Sequence, residues 1–257
     1  MRIRRLIKTI LLLFLILVIL AGAIIFGLVD RVPEDYRIAI TRVRLLGEIN
    51  KPGEDPRRDF KILLGDFSKE VGKGEPFWFT ISADEVNLCL ASMDEIASYY
   101  PTSRPIRPSP ILEKVGFTGP VVAMDNGVLT LMAWSMEYRK VISVDVGFIF
   151  DGVGKVRMKI LALRVGLMPV PRFCVDKLII HFRQRIQKLI GHFGNDRKNQ
   201  RDDVRKIMDL LRALANMLDG KPVRTKITWK IGAPHRVLID TVEITDGVMR
   251  LHFSPEK

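Results

Sequence analysis

Apolar residues follow three different rhythms along this chain, and each predicts a different kind of element. The first is unbroken. Residues 10–29 carry no charge, and sixteen of the twenty are Leu, Ile, Phe or Val. A helix of that length spans about 30 Å, the thickness of a bilayer's hydrocarbon core, so the run predicts a transmembrane anchor. Ala21-Gly22-Ala23 resembles a signal-peptide cleavage site, but the apolar run continues through 24–29, which favours an uncleaved anchor. Residues 1–9, with Arg2, Arg4, Arg5 and Lys8, then form a basic cytoplasmic tail. Arg31, Arg37, Arg42 and Arg44 match that charge on the other flank, so orientation rests on the usual export role of an N-terminal anchor. The rest of the chain is expected on the extracytoplasmic side of a cell membrane, as a single-pass protein.

The second rhythm, in residues 30–75, is weak and poorly phased. Ile38, Ile40, Val43, Leu45 and Leu46 follow Pro33, Pro52-Gly53 and Pro56 interrupt, and 60–71 is a candidate short helix. This stretch reads as a juxtamembrane stalk; a basic helix lying on lipid headgroups is the alternative.

The third rhythm begins at Pro76 and alternates between helical and strand periods. Residues 77–81 read as a strand. Ser82 then caps a helix, with Glu85 in the capping-box position and Val86, Cys89, Leu90, Met93 and Ala97 on one face. The three prolines of 103–110 predict an extended loop. A β meander follows over 115–160, with turns at Asp125-Asn126-Gly127, Arg139-Lys140 and Asp151-Gly152. Ile142, Val144, Val146, Phe148 and Phe150 alternate with smaller or polar residues, the mark of an antiparallel sheet with one covered face. After Gly166-Leu167-Met168-Pro169-Val170-Pro171 a long helix is traced by Val175, Leu178, Ile179, Phe182, Ile186, Leu189, Ile190 and Phe193. A second helix is traced by Val204, Ile207, Met208, Leu211, Leu214, Ala215 and Leu218, with Gly220 as its C-cap. Strands at 223–231, 237–244 and 248–253 close the chain. The fold class is α+β: an N-terminal transmembrane helix, then a twisted antiparallel sheet packed with long amphipathic helices over 76–257.

Composition adds a bias in charge. The 257 residues hold 41 Lys and Arg against 29 Asp and Glu, a formal +12. Beside a membrane this excess suits anionic headgroups; without aromatic-interleaved basic motifs, no nucleic acid partner is expected. Fifteen Lys and Arg against six Asp lie within 171–230, where plain solvation is the simpler reading. Cys89 and Cys174 are too far apart for a zinc knuckle or a CxxC pair; a single disulfide and two core thiols both remain open. The chain has no phosphate loop, GxSxG elbow, HExxH or dinucleotide fingerprint, so no catalytic residue, metal site or cofactor is expected. His181 and His192 share a helix azimuth without a third ligand nearby, and Asp94-Glu95 and Asp202-Asp203 read as solvated carboxylates.

The strand leading into Ser82-Ala83-Asp84-Glu85-Val86-Asn87, and the later strand running into Gly166-Leu167-Met168-Pro169-Val170-Pro171 before a long helix, resemble the YpmS-like membrane-anchored proteins. The likeness covers about residues 76–193. That family is similar in turn to the tubular lipid-binding superfamily, in which a twisted sheet wraps a long helix around a lipid. The resemblance implies a non-enzymatic domain. Residues 30–75 and the helix of about 203–219 fall outside the pattern.

The expected function is therefore binding of a lipid or other apolar ligand between helix and sheet. Val86, Leu90, Leu178, Phe182 and Ile186 would line the helix side, and Trp134, Phe148, Phe150 and Met158 the sheet side. Met124, Met132, Met136, Met158 and Met168 would give an adaptable lining, or fill an ordinary core. The alternative is a single-pass envelope scaffold acting through an envelope protein partner. The bilayer itself is a partner through the N-terminal helix in either case.

Overall fold

The computed structural model describes residues 17, 20, 26–49, 58–99, 107–152, 154–194, 202–229 and 235–256. The tail 1–9, most of the expected span and the polar loop after the long helix lie outside these residues. Of the span, Leu17, Leu20 and 26–29 are described and helical. Among the described residues no helix is long and apolar enough to cross a membrane.

The fold is α+β, with two antiparallel sheets and several helices. The first sheet has the order β1-β10-β9-β8, built from Phe77–Ser82, Val248–Pro255, His235–Thr245 and Lys226–Trp229. The second has the order β2-β3-β4-β5-β6, from Phe117–Asp125, Val128–Ser135, Lys140–Phe150, Lys155–Val165 and Met168–Pro169. β7, Val223–Arg224, adds to the far end of β5. The expected strand at 223–231 is thus split between the two sheets. Thr225 makes the switch: its N–H donates to Gly154 O (2.9 Å) and its hydroxyl to Ile239 O (2.9 Å), so one residue bonds to both sheets.

The expected stalk does not stand apart. Residues 34–49 and 58–73 are two helices packed into the domain, α1 (Glu34–Ile49) against β2 and α2 (Arg58–Lys73) against the first sheet. Among the α1 side chains described, the buried one is Ala39, beside Val121, Met132 and Val141, so periodicity gives little warning of it. α2 buries Phe67 and Val71 into a cluster with Phe77, Val237 and Phe253. The Phe67 ring meets Phe77, Phe79, Trp229 and Phe253 at centroid distances of 4.9–5.7 Å, all edge to face, the arrangement that ring quadrupoles favour. Trp229 Nε1 donates to Ser68 Oγ at 3.1 Å, satisfying the indole inside this aromatic core.

The helix expected from Ser82 breaks at Ser92 into α3 (Ala83–Ala91) and α4 (Met93–Tyr99). The expected loop 103–110 gives way to α5 (Pro108–Lys114), opened by proline in its first turn. Asp94 is no mere solvated carboxylate: its Oδ1 accepts from Ser109 N at 2.9 Å and caps α5 from α4. The long helix α6 (Arg172–Gly194) and α7 (Asp202–Leu218) pack on each other, and α7 reaches β5 and β7.

Two hairpin turns join the sheets. Gly127 N donates to Ile244 O (3.0 Å) and Gly247 N to Met124 O (2.8 Å), so the β2–β3 and β9–β10 turns bond each other reciprocally. Both glycines have φ near +77°, which an L side chain resists. Ala83 N adds a bond to Gly247 O (2.8 Å), tying the start of α3 to the same seam.

Candidate functional site

α3 is fixed before it presents any side chain. Ser82 Oγ accepts from Glu85 N (3.2 Å) and Glu85 Oε2 accepts from Ser82 N (2.7 Å), the reciprocal capping box. One turn on, the buried Asn87 faces β2, an edge strand. Its Nδ2 donates to Val122 O (2.9 Å) and its Oδ1 accepts from Val122 N (2.6 Å), so a side-chain amide pairs that edge as another strand would. This fixes the height of Val86 and Leu90, which pack with Val122, Met124, Ile244 and Phe148.

Alternation then distributes the second sheet's side chains. Val122, Leu131, Val144 and Leu163 lie in register across β2 to β5 and share the α3 face. Val122 and Leu163, at the two ends of that row, are 5% and 3% exposed. Leu131, between them, is 40% exposed. Val144, Phe148, Phe150, Met158 and Ile160 on this face are only half-buried. α6 borders the same face, where the Phe182 ring sits 5.3 Å from that of Phe117. Arg185 holds α6 there through Val115 O (3.0 Å) and Glu137. Leu178 is half-buried and Ile186 buried on this helix.

Eight of the nine expected lining residues therefore belong to α3, α6 or the sheet face that α3 covers. Trp134 does not. It pairs with Thr118 and Val141 and packs with Met132, Ala39 and Tyr36 on the α1 face, one residue out of phase with Leu131 and Ala133. Leu131, Val144 and Phe117 were missed, although the alternation along β3 and β4 was enough to find the first two.

The α1 face carries the sheet's polar island. Arg164 grips Asp145 with two bonds (2.7 and 2.6 Å), and Thr130 Oγ1 donates to the same carboxylate (2.9 Å). Ser143, beside them, has a buried hydroxyl with no hydrogen-bond partner among the described residues. On the same face the Tyr36 hydroxyl lies against Gly119, and burial raises its pKa. At the seam, Asp246 faces Asp125, whose hydrogen bond and like charge push the Asp246 pKa up. Near the C-terminus Lys226, with Arg224 and Arg236, draws the Glu256 pKa down.

Cys89 and Cys174 are not joined in a disulfide. Among the described residues no three His, Cys, Asp or Glu side chains gather as a metal site. His252 lies between Asp240 (3.6 Å) and the Trp78 ring. His181 is exposed.

No family model matches the chain, and neither a curated protein nor a solved structure matches it.

Proposed function

We propose that this chain is a membrane-anchored, non-catalytic protein whose extracytoplasmic domain holds an apolar ligand, such as a lipid acyl chain, on the sheet between α3 and α6. The observation that carries the reading is Leu131. A leucine in the middle of a sheet face, in a row that begins with the shielded Val122 and ends with the shielded Leu163, is normally covered; at 40% exposure it leaves an apolar strip facing solvent. Val86 and Leu90 border the strip from α3, and Leu178 and Phe182 belong to α6 across it. The anchor reading is supported by the continuous apolar run and by Leu17, Leu20 and Phe26, which are helical and exposed.

The test is photocrosslinking from cells carrying the full-length chain with benzoylphenylalanine at Leu131. Adducts of phospholipid or fatty-acid mass, missing when the probe replaces the exposed Arg250, are expected. Adducts to protein alone would favour the scaffold reading, and no adduct at either position would end the ligand reading.

A further inference from the structure

On the opposite face of the same sheet lies a hollow of about 310 Å³, lined by Asp30, Arg31, Val32, Trp134, Arg139, Lys140 and Val141. Its position is set by the chain's own entry into the domain. Leu167 N donates to Leu28 O at 2.9 Å. Gly166, at φ +60°, lets the carbonyls of Leu28, Val29 and Arg31 come so near that any Cβ would lie within 2.8 Å of them. Lys140 is ion-paired with Asp30. The end of the apolar N-terminal run is therefore clamped to the β5–β6 turn and to the start of β4, and the hollow opens beside that clamp.

Its charge is unbalanced. Lys140 and Asp30 neutralise each other, while the Arg31 and Arg139 guanidiniums have no ion-pair partner among the described residues. Arg139 also sits at φ +53°, a left-handed conformation that glycine or asparagine adopts more readily. The half-buried Trp134 supplies an aromatic wall of the kind that collects at the headgroup level of membranes.

We infer that this hollow binds a phosphate-bearing anion, and that its natural source is the headgroup of an anionic membrane lipid. Two guanidiniums match phosphate oxygens through paired N–H donors. The clamp to Leu28 puts them just outside the apolar run, where lipid phosphates lie. The inference rests on the anchor half of the function proposed above and is independent of the Leu131 strip.

The experiment uses the full-length chain in phosphatidylcholine nanodiscs doped with phosphatidylglycerol, and counts retained phosphatidylglycerol by native mass spectrometry. Arg139→Gly removes one cation and suits the backbone, so its thermal midpoint should equal or exceed that of the parent chain. Its retained phosphatidylglycerol should fall several-fold, and further with Arg31→Gln. Equal retention by parent and variants overturns the site. Inorganic phosphate is titrated in parallel. Saturation by phosphate alone with the same Arg139 dependence, without retained lipid, keeps the phosphate chemistry and rejects the lipid source. A chain that fails to float with vesicles refutes the anchor, leaving the phosphate titration to decide the hollow by itself.

Discussion

Behind β1-β10-β9-β8, Phe67 touches four aromatic rings and is 7% exposed; across the seam, Leu131 sits mid-sheet and stays 40% exposed. Both faces are apolar and both have helices nearby. The difference lies in how the helix approaches. α2 drives a large ring into the first sheet, so the contact is filled by interlocking rings. α3 is instead held by a polar pin, the Asn87 pair on the edge of β2, and α6 by Arg185 at its far side. Helices positioned by hydrogen bonds at their margins need not close on the sheet between them. The second sheet is buried at Val121, Val141 and Val146, yet on its α3 face Leu131 stays exposed where Phe67 fills the corresponding contact of the first.

The contrast is tested most severely at Phe67. Phe67→Ala should cost about 3–5 kcal/mol in denaturant unfolding, the loss typical of a ring removed from a filled core. A loss near 1 kcal/mol would mean that the first sheet is no better packed than the second. Next is the pin. Asn87→Ala leaves the Val122 N–H and C=O buried and unpaired, and should cost about 2–3 kcal/mol. It should also speed amide exchange along β2 more than along β10. The strip itself gives a smaller number. Leu131→Ala should lower stability by about 1 kcal/mol or less, whereas Leu163→Ala, in the same row, should lose at least about 2 kcal/mol. Equal losses at the two positions would show the strip to be closed in solution.

The smallest effect is at the seam. Asp246 holds its proton more tightly when folded, because Asp125 faces it. The stability this contributes is complete below the ordinary carboxylate range and is lost as pH rises through the raised folded value. Asp246→Asn should therefore raise the thermal midpoint slightly at neutral pH and leave it unchanged in acid. A lowered midpoint at neutral pH would assign Asp246 a different role.

Local chemistry made much of this fold readable in advance. The Ser82–Glu85 box, the Asp125-Asn126-Gly127 turn and the stripes of α6 and α7 each depend on residues a few positions apart. What stayed hidden depends on distant partners. α1 reads as a stalk because the residue it buries, among those whose side chains are described, is an alanine, and Phe67 is marked as a core ring only by strands that follow it in sequence. Trp134 was drawn into the wrong face by its methionine neighbours, although counting by twos from Leu131 excludes it. Asn87 gave no sign of its role, since a polar residue one turn into a helix looks solvated until a bare strand edge is set beside it.

The pairing of β1 with β10 has a consequence for how the protein is made. Phe77 pairs with Phe253 and Ser82 with Val248, so β1 emerges about 170 residues before its strand partner among the described residues exists. At roughly 5–20 residues per second of synthesis, that is an interval of about 10–35 s. During it, Phe77, Trp78, Phe79 and Ile81 form an unpartnered β-prone segment, the sort that recruits chaperones or sticks to neighbouring chains. Deletion of Val248–Phe253 would leave β1 in that state. The synthesis of β10, rather than any element near β1 in sequence, is therefore what ends the exposed interval.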